Sequence, residues 1–453
     1  MGNMINTIEF IDSMEELLPL PVGVSGFKDA VENYYYVDKT LFIKELRMKR
    51  AEVTLITRPR RFGKTLNMNM LRCFFEKTEK SNQYLFENLN IWKCGDKHTS
   101  EQGMYPVIFL TLKDVKFASW EKTFENLKGL IAKEFDRHSY LLQSDYLSKR
   151  EKVYITKVIH SEVELVGLTD SLKNLSESLH KHHKVRPIIL LDEYDMPIQS
   201  GYSNDFYKDV IEFMRNWMSG GLKDNENLSF AVITGILKVA QESIFSGLNN
   251  PSICTIFDKN YNSYFGFTED EVLEMARYYE KSEKMCEIKQ WYDGYNFSNV
   301  EIYNPWSVIN YFAEDCQPMS YWMSTSSNDV LKKMLSETNY EVKTKLYNLM
   351  KGQEESVTID LSIVYPNLEM NPESIFSLLL LTGYLKAVKT LAYNKVMATC
   401  DVTIPNYEIK TVYQMEILSY VKEQFKLTAT DDIVRAIIYH DTEKLNISLH
   451  NFM

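Results

Sequence analysis

The 453-residue sequence is bounded first by what it does not contain. Its six cysteines (Cys73, Cys94, Cys254, Cys286, Cys316 and Cys400) include no C-x-x-C pair. That spacing excludes a zinc ribbon or a disulfide scaffold and suits free thiols in a reducing compartment. No basic-then-apolar leader opens the chain. Met1-Gly2 begins like an acylation site, but Asn6 stands where Ser or Thr is required. The most apolar run, Ile375 to Leu381, is interrupted by Ser377 and falls far short of the roughly 20 residues a membrane helix needs. No G-x-S-x-G or Ser/His/Asp order supports a hydrolase triad, and nothing repeats at a solenoid period. Positive charge is also short: 51 Lys and Arg face 62 Asp and Glu, a net −11. This argues against a generally basic nucleic-acid coat while leaving room for a local groove. With 45% hydrophobic and 25% charged residues, the expectation is a soluble cytoplasmic protein of two or three domains.

What is present is organised around Val53-Thr54-Leu55-Ile56-Thr57-Arg58-Pro59-Arg60-Arg61-Phe62-Gly63-Lys64-Thr65. A β-branched run ends in a loop, the loop ends in Gly-Lys-Thr, and Leu66, Met70, Leu71, Phe74 and Phe75 then recur at helical spacing. Strand, loop and helix in this order make a phosphate-binding loop, with N–H groups at the helix start aimed at phosphates. The candidate nucleotide-binding residues are Arg58, Pro59, Arg60, Arg61, Phe62, Gly63, Lys64 and Thr65. Lys64 is expected to reach the terminal phosphates, and the Thr65 hydroxyl to ligate Mg²⁺. Arg58 stands where such loops usually carry a first glycine, so the loop trades backbone freedom for charge. Arg60 or Arg61 would then bring that charge to the γ-phosphate; the alternative is that both pair with nearby carboxylates.

A second motif is Arg186-Pro187-Ile188-Ile189-Leu190-Leu191-Asp192-Glu193-Tyr194-Asp195. Its apolar core suits a parallel strand buried on both faces, delivering carboxylates to the edge where ligands bind. Asp192 would hold Mg²⁺ through water, and Glu193 would polarise an attacking water. A third strand, Leu228 to Gly235, places Thr234 where a γ-phosphate sensor would sit beside the loop. Another buried strand is expected over Tyr105 to Leu112, and amphipathic helices over about Trp120 to Phe135 and Leu165 to His183. Leu41 to Met48 is expected to be a helix capped by Thr40 or Asp38. The alternation predicts an α/β protein with a three-layer sheet.

Together these stretches resemble the bacterial AAA-ATPase-like family, P-loop ATPases whose C-terminus often carries a PD-(D/E)XK nuclease-like domain. The matching residues are Arg58 to Thr65, in which the arginine belongs to the family pattern, Tyr36-Val37-Asp38-Lys39-Thr40, and Leu191-Asp192-Glu193-Tyr194-Asp195. Ser246-Gly247-Leu248-Asn249-Asn250, Phe265-Gly266-Phe267-Thr268-Glu269, Trp291-Tyr292-Asp293-Gly294-Tyr295 and Tyr303-Asn304-Pro305-Trp306-Ser307 match as well. The resemblance implies ATP and Mg²⁺ as ligands of an AAA/STAND-like core. Adenine over guanine follows from the family and from the absence of an N-K-x-D motif.

The expected organisation is a lead-in over 1–50, an ATPase core over 51–265, an all-helical lid over 266–325, a winged-helix-like domain over 326–425 and the start of a truncated nuclease-like region over 426–453. Thr268 with Glu271 is a capping box, and Asn304-Pro305 is another helix start. Trp291, Tyr292, Tyr295 and Trp306 are expected in the lid's core rather than as a base-stacking platform. A helix near Glu373 to Leu381 precedes two strands flanking Asn394-Lys395. Neither Glu287-Ile288-Lys289 nor Glu408-Ile409-Lys410 follows an acidic strand, so both are expected to be accidental matches to the nuclease motif. His180-Lys181-His182-His183-Lys184 suits a solvated helix end better than a metal site. The functional expectation is a slowly hydrolysing ATPase switch or motor, in a nucleic-acid-linked setting but itself binding DNA weakly. The alternative is a non-hydrolysing, nucleotide-gated module for a protein partner.

Overall fold

The computed structural model describes residues 17–238, 251–322, 340–363, 371, 373–424, 436–439 and 441–450. The matching stretch Ser246 to Asn250 lies outside the described residues, as do parts of the expected winged-helix and nuclease-like regions.

Five parallel strands form the central sheet: β1 (Val53–Thr57), β2 (Val107–Thr111), β3 (Ile188–Asp192), β4 (Phe230–Gly235) and β5 (Ser252–Cys254). Their spatial order is β2-β3-β4-β1-β5. Every residue of β1, β3 and β4 is buried, as expected for parallel strands covered on both faces. The order matters for the site. Because β4 is inserted between β1 and β3, Ile56 pairs with Thr234, and Leu191 with Ile233, while Thr111 pairs with Asp192 on the other side. All four strand ends therefore open on one edge of the sheet.

The helix Lys64–Phe75 leaves β1 through the loop and packs Met68, Leu71 and Phe75 into the core. The segment 165–183 is two helices rather than one: Leu165–Thr169 and Ser171–His183 meet at Asp170. Ahead of the sheet, the helix Leu41–Lys49 begins without a side-chain cap. Asp38 accepts from the N–H groups of Thr40 (2.8 Å) and Asn90 (2.6 Å), and the Thr40 hydroxyl accepts from Ile91 N–H (3.0 Å). These two side chains therefore tie the lead-in to a distant loop.

Residues 266–322 are not all helical. Between the helices Glu269–Tyr278, Met285–Tyr292 and Pro305–Ala313 stands a hairpin of β6 (Tyr295–Phe297) and β7 (Val300–Ile302). Strands of three residues are too short to show alternation in the sequence. The capping box of Thr268 with Glu271 forms, and Asn304 caps the third helix by accepting from Trp306 and Ser307 N–H. Tyr292 and Tyr295 are buried there, and Trp291 and Trp306 half-buried.

The C-terminal module carries a three-stranded antiparallel sheet in the order β8-β10-β9, of β8 (Glu355–Asp360), β9 (Lys386–Tyr393) and β10 (Met397–Thr403). The strand β8 adds to the two that flank Asn394-Lys395. The helix Ser374–Thr382 ends at Gly383 in the left-handed conformation (φ 92°), and the helix Tyr407–Gln424 follows the sheet. Among the described residues no helix is long and apolar enough to cross a membrane.

Candidate functional site

The site forms where β1, β3 and β4 end. Gly63, at φ 75°, turns the loop into the helix, a conformation that costs a residue with a Cβ about 1–2 kcal/mol. The Lys64 side chain, which is buried, folds back over the loop and donates to the carbonyls of Pro59 (2.9 Å) and Arg58 (3.2 Å). Burial holds its pKa below the ordinary lysine value, and the carboxylates of Glu193, Asp195 and Asp192 oppose that shift.

Asp192, fully buried, gathers three hydroxyls. Thr65 donates to Oδ2 (2.7 Å), Thr111 to Oδ2 (3.2 Å) and Thr234 to Oδ1 (2.6 Å). Thr234 also accepts from the N–H of Glu193 at 3.3 Å, so its hydroxyl is engaged on the carboxylate side of the site. Glu193 sits at φ 51° and lines the pocket. Burial raises its carboxyl pKa while Lys64 opposes the rise. Asp195 is buried with its Oδ2 bound to the N–H groups of Ile236 (2.8 Å) and Leu237 (2.9 Å), which fixes the end of β4 against β3.

The three arginines part company. Arg58 still pairs in the sheet, its N–H donating to Gly235 O (3.1 Å), and its side chain runs inward. The guanidinium donates to the carbonyls of Thr57 (2.8 Å), Cys254 (3.1 Å) and Tyr261 (3.4 Å) and packs over Phe297. Burial pulls its pKa down to about 10. Its side chain thus braces the loop from beneath instead of facing the pocket. Arg60 donates to Gln199 Oε1 at 2.6 Å. Arg61 adopts φ 68° and lays its guanidinium 4.1 Å from the ring of Trp306. Its Nη1 is buried without a hydrogen-bond partner, and burial, reinforced by the like charge of Arg60, pulls its pKa down to about 10. Among the described residues neither Arg60 nor Arg61 forms an ion pair with a carboxylate. Phe62 is buried against Tyr295 and Phe297 of the hairpin, and Pro59 is buried beside Gly383.

These elements enclose a pocket of about 390 Å³. Arg61, Gly63, Lys64, Thr65, Lys113 and Glu193 are among its polar lining, and Pro21, Val24, Tyr36, Met275, Pro305 and Ile309 among its largely apolar lining. A mostly apolar cleft with a few convergent polar groups is the usual form of a small-molecule site. The unpartnered Arg61 Nη1, the Lys64 ammonium resting on loop carbonyls and the oxygen set of Thr65 and Asp192 fit a polyphosphate carrying a hard divalent cation.

Sequence reasoning missed several residues here. Lys113, two residues beyond the end of β2 on the ligand edge, reaches the pocket; its place just past a buried strand was the available signal. Lys39, inside a recognised motif, donates to both carboxylate oxygens of Glu271 (2.6 Å each) and to Ser263 O (2.8 Å), joining the segment ahead of the sheet to the helix Glu269–Tyr278. Glu408 lies on a helix, as does Glu287, but it is fully buried and bonded to Ser307 and Trp322. In the histidine run, His180, His182 and His183 bond separately to Asn227, Ser144 and Tyr140.

A relative from Azotobacter chroococcum mcd 1, described as an uncharacterized protein in the vnfD 5′ region, is 26% identical over 325 residues. The match covers 70% of this chain and 56% of that protein, so the chain spans about half the relative's length. Residues 21–245 match the family model described as predicted AAA-ATPase, a span that reaches from the Pro21 wall of the pocket past the Thr234 strand. Over that span, with Lys64, Asp192 and Thr234 brought to one edge of a parallel sheet, the chain belongs to the AAA-ATPase-like family.

Proposed function

We propose that the protein binds ATP with Mg²⁺ in this pocket and hydrolyses it slowly, as a switch or motor. The observation that carries the proposal is the Thr65–Asp192–Thr234 cluster, which joins the ends of three separate chain segments within reach of Lys64. In the proposed assignment Lys64, Arg61 and the loop N–H groups hold the phosphates, and Thr65 and Asp192 hold the metal. Mg²⁺ bound there would draw charge from the phosphate oxygens. Glu193 would hold and orient the attacking water and accept its proton, and its raised pKa suits a base that must be neutralised during the reaction. Arg60 would act by its charge alone, since its side chain is directed to Gln199. Thr234 would act by fixing Asp192 and the Glu193 backbone. The apolar residues of the pocket lining suit a purine base, with adenine the one expected.

The test is titration of the full chain with ATP·Mg²⁺ against Lys64→Ala: loss of binding in the variant is expected, and equal binding by both would sink the assignment. Turnover is tested with Glu193→Gln. Phosphate release above that variant supports hydrolysis, whereas none under any condition favours the nucleotide-gated module that acts through a protein partner. We read the C-terminal module as winged-helix-like and expect it to pack on the ATPase core more than to bind DNA. Support comes from the close approach of its Gly383 to Pro59 of the loop, where an added Cβ would stand 3.1 Å from Pro59 Cβ. Anisotropy with duplex and single-stranded DNA across salt should show weak, salt-sensitive binding; tight ATP-dependent binding at physiological salt would reverse this.

A further inference from the structure

We infer that Glu408, in the first turn of the helix Tyr407–Gln424, is a positioning residue for Arg61, so that the C-terminal module sets how the phosphate loop presents its cation. The inference rests on the nucleotide reading above and names what regulates that site.

The connection runs through two pairs of adjacent residues. Trp306 carries the Arg61 guanidinium on its ring at 4.1 Å, and its neighbour Ser307 donates to both oxygens of the Glu408 carboxylate (2.8 and 2.9 Å). Asn304 holds this pair rigidly by accepting from both backbone N–H groups (3.0 and 3.5 Å). On the other side, the Trp306 indole N–H donates to Tyr321 O (3.3 Å), and the next residue, Trp322, donates its N–H to Glu408 Oε1 (2.9 Å). The ring under Arg61 and the carboxylate behind it thus share two short peptide segments. Neither can shift without the other.

Charge completes the argument. Among the described residues Arg61 has no ion pair, and its Nη1 is buried without a partner. Glu408 is the carboxylate that attracts it, acting from beyond ion-pair distance. An anionic group held in a dry site exerts a stronger pull than it would in water. Once ionised, above about pH 7, the carboxylate draws the guanidinium toward the lid while leaving it uncommitted, and a phosphate oxygen can take the vacant Nη1 bond. The same module approaches the loop a second time, where Gly383 lies so near Pro59 that an added Cβ would stand 3.1 Å from it.

A purely mechanical joint between lid and module would use the same hydrogen bonds, so the test must separate charge from packing. Glu408→Gln removes the charge, keeps one oxygen to accept from Trp322 and Ser307, and turns the other into an NH₂ group that can donate to the Ser307 hydroxyl. Binding of ATP·Mg²⁺ and ADP·Mg²⁺ is measured above about pH 7, where the Glu408 carboxyl is ionised, on the full chain for the wild type, Glu408→Gln, Arg61→Ala and the double variant. Trp306 emission, assigned by difference from Trp306→Phe, is recorded without nucleotide. We expect Glu408→Gln to lower the preference for ATP over ADP by about five- to tenfold and to shift Trp306 emission. The double variant should lose no more than Arg61→Ala alone, since coupled residues are not additive. Ser307→Ala, which loosens the carboxylate at constant charge, should move both readouts in the same direction. Additive losses in the double variant, or a Glu408→Gln protein matching the wild type in preference and emission, would overturn the inference. The emission readout needs no nucleotide, so it decides the positional claim even if Lys64→Ala binds ATP like the wild type, the outcome that instead removes the nucleotide reading.

Discussion

Thr65 and Asp192, 127 positions apart in sequence, are joined by a 2.7 Å hydrogen bond from the threonine hydroxyl to the carboxylate. Thr234 closes the same carboxylate from the other side at 2.6 Å. Replacing Thr234 by valine keeps the shape and removes one donor, and it leaves the Glu193 N–H without its acceptor. Stability should fall by about 1–3 kcal/mol in denaturant titration. Turnover should fall by more than ATP affinity does. Unchanged stability and turnover would show that the hydroxyl is idle.

Lys39 is nearly buried and bonded to both oxygens of Glu271, which is itself the reciprocal member of the Thr268 capping box. Lys39→Ala removes the cation but leaves the carboxylate in place. A loss of about 3 kcal/mol is expected on breaking such a pair from one side. Because Lys39 also lines the pocket, nucleotide affinity should fall in parallel. The two effects can be read together in thermal melts with and without ATP·Mg²⁺.

Gly383→Ala tests the contact between the module and the loop. The left-handed backbone at φ 92° penalises a Cβ by about 1–2 kcal/mol. The new carbon would stand 3.1 Å from Pro59 Cβ, pressing on the loop from outside. Weaker nucleotide binding is expected with an unchanged circular dichroism spectrum. A variant that loses stability but keeps full affinity would show that the loop does not feel the module at this point.

Burial raises the Glu408 carboxyl to about 7, against an ordinary value near 4.5. Between these values the folded chain holds a proton there that the unfolded chain has released. Stability from this group is therefore greatest at low pH and declines as pH rises from about 4.5 to 7, with a slope of up to about one proton. Asp293, raised to about 6 by burial, acts in the same direction. Unfolding free energy measured across this range should decline more steeply for the wild type than for Glu408→Gln. Parallel curves would count against a buried, proton-holding carboxyl.

The strands and the loop were legible because their signals are local: continuous apolar runs closed by Gly-Lys-Thr or by Asp-Glu. Arg58 was not. Its number in the loop suggested a phosphate ligand, yet its backbone continues the sheet pairing with Gly235, which sends the side chain into the interior. The hairpin of β6 and β7 escaped notice because three-residue strands have no period. The burial of Glu408 has no local signal, since its partners, Ser307 and Trp322, lie 101 and 86 positions earlier. Asp170 breaks a helical pattern that the apolar spacing alone would carry through. For Arg58 and Glu408 the deciding contacts are tertiary, where propensity gives way to packing.

Lys64 rests on the carbonyls of its own loop, so the loop is internally satisfied before any ligand arrives. An incoming anion has to displace two hydrogen bonds and re-aim a buried ammonium. A single small anion such as chloride returns too few contacts to offset that exchange, whereas a chain of linked phosphates can replace both bonds and engage the loop N–H groups at once. In the proposed assignment the side chain would act as a threshold, lowering apparent affinity for small anions and favouring ligands rich enough in charge to reorganise it.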